Sequence, residues 1–220
     1  MTLDSFFAQH TKLTRSLKKF VLDYEKELSS DVFEAFLENL SEEIRLASRE
    51  LFKVPAGPLR AKKLHEMVEV EIAQGANIET SCKKGCSTCC HMEVEITSYE
   101  SEILEKLVRD GHIIERSRLQ KQSERFLQDA IWREGVRNLT NRCVFLNDEG
   151  ACSIYENRPV MCRRHSVTSP AKNCETLDSK IVIRYFPKVD LLISAANEDS
   201  QMQIGPLAKM LEMNLSKESL

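Results

Sequence analysis

The stretch Ser81-Cys82-Lys83-Lys84-Gly85-Cys86-Ser87-Thr88-Cys89-Cys90-His91 decides how this chain is read. It holds four of the eight cysteines. The others, Cys143, Cys152, Cys162 and Cys174, lie downstream, and none precedes Cys82. A thiolate is a soft, anionic ligand, and four of them satisfy zinc or hold an iron–sulfur cluster. Gly85 lets the backbone curl back so that Cys82, Cys86 and Cys89 can converge on one centre. Three close ligands then need a fourth. The downstream cysteines, separated by eight, nine and eleven residues, are candidates that only the folded chain can deliver.

Consecutive side chains of an extended segment point to opposite sides. Cys89 and Cys90 therefore either serve two centres, or one is a ligand and the other is structural or redox-active. Eight cysteines match two four-thiolate sites in count, which does not by itself establish two. Cys174 is the most isolated, and packing as a small hydrophobe is the first reading for it. Lys83, Lys84, Arg158, Arg163, Arg164 and His165 sit beside the cysteines. Such cations lower thiol pKa values and offset the charge of a multi-thiolate centre. A solvated basic face, or an arginine-built anion site, is the competing reading. His91 and His165 are each near a cysteine and could replace one as a ligand.

Composition limits what surrounds this block. At 220 residues and 25.2 kDa the chain can bury a core without covalent staples. Charged residues make up 30% and aromatics 6%, which favours a helix-rich globular chain. The start, Met-Thr-Leu-Asp-Ser-Phe-Phe, lacks the basic-then-apolar pattern of a secretory signal. No run of eighteen apolar residues predicts a membrane span. A cytoplasmic location follows as the expectation, and there cysteines serve as ligands more often than as bridges. Acids and bases are interspersed at a net charge of −3, which gives no general drive toward nucleic acid.

Before the cysteines, three amphipathic helices are predicted. The first runs from Leu3 to about Leu28, with Phe6, Phe7, Leu13, Leu17, Phe20, Val21 and Tyr24 at spacings of three and four. The second starts from a capping-box-like Asp31 and Glu34 and carries Val32 through Leu51. The third spans about Leu59 to Gln74 and is closed by Gly75. Their apolar stripes read as core, and His10 and His65 as surface or packed residues.

After the cluster, Glu93 to Thr97 alternates like a short strand, and Thr97 with Glu100 caps a helix ending at Gly111. A further helix is predicted from about Ile113 to Val136, with Trp132 as a core anchor. Cys143-Val-Phe-Leu and Ala151-Cys-Ser-Ile-Tyr155 flank Asn147-Asp-Glu-Gly150, the pattern of two short strands around a tight turn. Pro159 suits a first helical position. Residues 181–195 are open between strand and helix, and Pro206 to about Leu215 reads as a closing helix.

Cys82-x3-Cys86-x2-Cys89 also has the spacing of the radical SAM signature, but the strand–helix alternation of a β/α barrel is absent. No Gly-rich phosphate loop and no contiguous Ser-His-Asp or paired-carboxylate arrangement is visible.

Cys82-Lys-Lys-Gly-Cys86-Ser-Thr-Cys89-Cys90, Cys143-Val-Phe-Leu, Gly150-Ala-Cys152-Ser-Ile-Tyr155-Glu-Asn-Arg158-Pro159 and Cys162-Arg163 resemble the bacterial YkgJ-like CxxCxxCC proteins, described as zinc- or iron-chelating. The resemblance covers roughly residues 80–175. Valine follows Cys143 where proline is expected, a small departure. Membership would imply a metal-binding domain and no particular reaction. One similar branch, the flagellin lysine N-methylases, is thought to depend on an iron–sulfur cluster. This chain is short for that branch and shows no separate substrate domain.

The expected architecture is mainly α with a small β-hairpin, a helical bundle packed on a cysteine-rich metal-binding block. Residues 1–75 form the helical region, 76–180 the metal-binding block, and 181–220 a C-terminal segment packing on the same domain. Cys82, Cys86, Cys89, Cys90, Cys143, Cys152, Cys162 and Cys174 are the candidate ligands for zinc, iron or an iron–sulfur cluster. Three functions stay open: metal binding, cluster-dependent methyl transfer, and a helical module for a protein partner with a structural metal.

Overall fold

Thr2, Thr14 and Thr97 each turn a side-chain oxygen onto an amide three residues ahead, and each starts a helix there. The computed structural model describes residues 1–75, 78–83, 85–133, 137–176 and 178–217. Its elements are α1 (Leu3–Gln9), α2 (Arg15–Glu27), α3 (Ser30–Phe52), α4 (Pro58–Gln74), β1 (Glu95–Thr97), α5 (Ser98–Arg109), α6 (Arg116–Ser123), α7 (Val160–Arg164), α8 (Pro187–Asn197), β2 (Ile204–Pro206) and α9 (Leu207–Ser216), with several 3-10 turns between them. Among the described residues the chain is mostly helical with one two-stranded antiparallel sheet, as composition and periodicity predict. Among the described residues no helix is long and apolar enough to cross a membrane. The chain divides into two units, residues 1–74 with 185–202, and residues 75–184 with 203–220.

In the first unit, α3 packs against α1, α2, α4 and α8, and α8 also meets α2 and α4. Leu17, Val21, Leu37, Ile44, Leu51, Leu64, Val68 and Val189 fill the interior. The helix expected over Leu3–Leu28 is interrupted between His10 and Thr14. The Thr14 amide donates to Ser194 Oγ at 3.0 Å rather than to a helical carbonyl, and its Oγ1 caps the Leu17 amide while donating to Asp190 Oδ1 at 2.7 Å, so α2 starts afresh after Thr14. His10 is buried, with Nε2 2.8 Å from Ser41 Oγ, and His65 is buried as well. Asp31 is not the cap of α3. Ser29 holds that position, and Asp31 lies in the first turn, where its charge complements the helix dipole.

Of the two forms left open for residues 181–195, the structure takes helix from Pro187 on and only a single bridge before it. Ile183 forms an isolated antiparallel bridge with Val167, and Pro187 then opens α8 at a first helical position, where its missing N–H costs nothing.

The second unit is built around β1 paired with β2, in register Glu95↔Pro206, Ile96↔Gly205 and Thr97↔Ile204. Each strand runs straight into a helix, β1 into α5 and β2 into α9, and α9 packs on α5 and α6. Ile96, Leu104, Leu119, Phe145, Ile154, Leu207 and Leu211 form the core, with Cys143 and Cys152 packed against it.

Two local expectations change here. Residues 143–155 make the predicted turn, with Gly150 at φ +73° and Asn147 Oδ1 accepting the Ala151 amide at 2.8 Å. The flanking strands reduce to a single bridge, Leu146↔Cys152, because the Ala151 amide goes to the Asn147 side chain instead of the Asn147 carbonyl that a ladder would use, while the Arg142 guanidinium donates to the carbonyls of Leu146 and Asn147. The long helix expected over Ile113–Val136 is α6 alone, followed by a 3-10 turn at Ala130–Arg133. Gln128 at φ +65° breaks the helical path between them, and the last three positions of that expectation, 134–136, lie outside the described residues. Trp132 is half-buried under the Arg125 guanidinium, 4.4 Å from its ring centre.

Candidate metal centre

The first cysteine loop is tied to Val167, the bridge partner of Ile183. The Ser81 amide donates to the Val167 carbonyl at 2.9 Å, and the Val167 amide donates back to Cys82 Sγ at 3.4 Å. The Cys86 amide then closes a turn on the Lys83 carbonyl. Gly85 sits at φ +88° with open space around its missing Cβ, so backbone conformation, not crowding, calls for glycine. Lys84 lies outside the described residues.

Cys89 and Cys90 lie in the 3-10 turn Thr88–His91, not in an extended segment. At three residues per turn their side chains leave the axis about 120° apart, yet the Cys90 thiol still reaches Cys89. His91 is buried and spends its Nδ1 hydrogen on the Ser87 carbonyl at 3.2 Å.

The downstream cysteines are brought back by separate devices. The Cys143 amide donates to the Cys90 carbonyl at 2.7 Å. Cys152 is the partner of Leu146 in the isolated bridge. Cys162 rides on α7, which packs against β1. The first amide of α7, Val160, donates to Glu100 Oε1 at 2.7 Å, while Glu100 Oε2 accepts the Thr97 amide at 2.9 Å. One buried carboxylate thus joins the starts of α5 and α7. Cys174 lies in the 3-10 turn Ala171–Glu175, which packs on Thr88–His91. Arg137 clips those turns together, with Nε on Thr88 Oγ1 at 3.2 Å and Nη2 on Glu175 Oε1 at 2.7 Å.

All eight cysteines are free and half-buried, and all lie in the second unit. Burial pushes Cys143 up to about 11 and Cys162 well above the ordinary thiol value. Burial also raises Cys86, Cys152 and Cys174. Cys89 is the exception. The Cys90 thiol hydrogen-bonds to it and favours its thiolate, with Arg158 adding to the effect. Cys90 is raised in turn by making that bond. Like-charge neighbours report proximity: Cys86, Cys90, Cys143, Cys152, Cys162 and Cys174 all feel the Cys89 thiolate. Cys174, isolated in sequence, stands among Cys86, Cys82 and Cys89.

Of the cations expected to attend the thiols, Arg158 acts on Cys89 and Cys152 and stacks on Tyr155 at 4.0 Å. Arg163 is turned to backbone, donating to the carbonyls of Arg158 and Glu156. Burial lowers His165, which disfavours its cationic form. Sequence reasoning missed Arg137 and the second task of Glu100. The Thr97-x-x-Glu100 spacing announced the cap, but nothing local announces a carboxylate oxygen reserved for an amide sixty residues away.

The donor set has the chemistry of a soft-metal site: reduced thiols, buried enough that ionising them together needs a cation. Among the described residues, no three Cys, His, Asp or Glu side chains already stand in an arrangement that could hold an ion. The residues fit the group in the chemistry of their donors: eight reduced thiols in one unit, with the Cys143 amide bonded to the Cys90 carbonyl.

Residues 81–182 match the model of the CxxCxxCC family, described as a putative zinc- or iron-chelating domain. No curated protein and no solved structure matches the chain. Metal binding is the function this comparison supports.

Proposed function

We propose that the second unit is a thiolate-ligated metal-binding domain, with Cys82, Cys86, Cys89, Cys90, Cys143, Cys152, Cys162 and Cys174 as its ligands and zinc or iron as its metal. The observation that carries the reading is the return of two cysteines distant in sequence to the Thr88–His91 turn that bears Cys89 and Cys90: the Cys143 amide bonds the Cys90 carbonyl at 2.7 Å, and the turn carrying Cys174 packs on that turn. The metal would supply the positive charge that lets several close thiolates coexist. The protein's own groups prepare for it. Cys90 favours the ionised form of Cys89, Arg158 adds to that effect and offsets part of the burial effect on Cys152, and Glu100 fixes the α7 start that carries Cys162.

Such a site ties together a unit whose connections are otherwise short 3-10 turns and single bridges, which suits a structural or metal-handling role. The cytoplasm is the compartment that keeps such thiols reduced. Metal analysis with an optical spectrum, on protein purified without oxygen, tests the reading. Zinc, or iron with or without labile sulfide, in stoichiometric amount supports it. Iron with sulfide and a broad visible band would select a cluster and make S-adenosylmethionine binding the next question. A chain free of bound metal after purification in metal-supplemented medium would overturn it.

A further inference from the structure

We propose, resting on the metal-binding reading above, that the eight thiols divide into two four-thiolate centres: Cys82, Cys86, Cys89 and Cys174 in one, and Cys90, Cys143, Cys152 and Cys162 in the other. The seam is the peptide bond between Cys89 and Cys90.

The backbone sets the division. On one side, the loop bearing Cys82 and Cys86 leads into the Thr88–His91 turn, and that turn packs on the turn carrying Cys174. The Arg137 clip between Thr88 and Glu175 holds the two turns in place. On the other side, the Cys90 carbonyl is bonded to the Cys143 amide. Cys143 and Cys152 flank one turn, closed by the Leu146↔Cys152 bridge and by the Ser153 amide on the Phe145 carbonyl at 2.9 Å. Glu100 anchors the start of α7 and so places Cys162.

Setting aside Cys89, which thiols of both groups feel, the like-charge neighbours follow the same division. Cys174 feels Cys86, Cys82 and Cys89, and Cys86 feels Cys82 and Cys89. Beyond Cys89, Cys90 feels Cys143 and Cys162, and Cys162 feels Cys143 and Cys152. Cys89 and Cys90 touch each other at the seam through their thiols.

Coordination number and charge favour two centres over one. A tetrahedral ion takes four thiolates, so a single site would leave four half-buried thiols with no ligand role. Two divalent ions take all eight. The resulting excess of negative charge falls where Arg137 and Arg158 act on the cluster, on Cys86 and on Cys89 and Cys152 respectively.

Native mass spectrometry of the full chain, stripped by chelator and reloaded with zinc(II), reads the number of ions directly. The wild-type chain should carry two, Cys174→Ser and Cys162→Ser one each, and the double variant none. One ion in the wild type, loss of both ions in either single variant, or retention of both by Cys174→Ser would overturn the partition while leaving metal binding intact. No ion in the wild type would overturn metal binding itself. Cadmium-113 spectra of the wild-type chain need no substitution. Two resonances of thiolate-bound cadmium support the partition, and one overturns it.

Discussion

The two units solve the problem of holding a fold together differently. The first, residues 1–74 with 185–202, contains no cysteine and packs long helices around Leu17, Leu37, Ile44, Leu51 and Val189. The second carries every cysteine, and between Ser81 and Arg184 its regular structure is β1, α5, α6 and the five-residue α7, linked by 3-10 turns and isolated bridges. Its apolar core draws on α5, α6 and α9, and Cys143 and Cys152 lie at its edge. The contrast teaches that apolar burial suffices where helices are long and periodic, and that thiols gather where the chain is too irregular to bury a continuous apolar face. If metal ligation does the work there, each unit should respond to perturbations the other ignores.

The largest effect is expected from Cys86→Ser. Structural thiolate sites in small zinc domains are worth on the order of 10 kcal/mol. The variant should therefore lose bound metal and become sensitive to protease after Gly75, with the helical unit surviving as two resistant fragments, one ending near Gly75 and one carrying α8. Unchanged metal content and an unchanged cleavage pattern would break the contrast. Leu37→Ala is the converse test. Leu37 is fully buried in the cysteine-free unit, and truncation should cost about 2–5 kcal/mol in a denaturant titration while metal content stays at the wild-type value. Loss of metal in that variant would show the two units are not energetically separable.

Glu100→Gln sharpens the account of how Cys162 is positioned. The carboxylate accepts from both Thr97 and Val160, and an amide side chain can accept at only one oxygen. The variant should lose about 1–3 kcal/mol and show weaker metal retention against chelator. Wild-type stability together with wild-type retention would remove Glu100 from the account.

The mildest probe is alkaline pH with chelator present. Burial raises folded Cys143 from 9.0 to about 11, so the unfolded chain ionises first. The stability tied to its protonated form is complete below pH 9 and is lost as pH rises toward about 11. Circular dichroism melts should show a gradual destabilisation over that window. A variant with Cys143→Ala should show less of it, and an equal decline in both would exclude this thiol as the cause.

Legibility followed the range of the interactions. The cores of α3, α4, α5 and α9 could be read because apolar spacing and caps such as Thr97-x-x-Glu100 act within a few residues. The break at His10–Thr14 could not, because Thr14 is held by Asp190 and His10 by Ser41, both distant in sequence. The strands around Asn147–Gly150 looked right in pattern, but the Ala151 amide goes to the Asn147 side chain and pairing stops at one bridge. At the site, clustering and spacing nominated the eight cysteines as candidates. Which thiol stands beside which was hidden, since Cys174 reaches Cys86 and Cys89 through the packing of two 3-10 turns and an arginine clip that leave no periodic signature.

Hydrogen exchange resolved along the chain, with and without a metal chelator, tests the central claim most directly. Chelation should strip protection from residues 78–176 and leave amides of α2, α3 and α4 as protected as before. Unchanged protection across the cysteine-bearing residues, or an equal loss in both units, would contradict it.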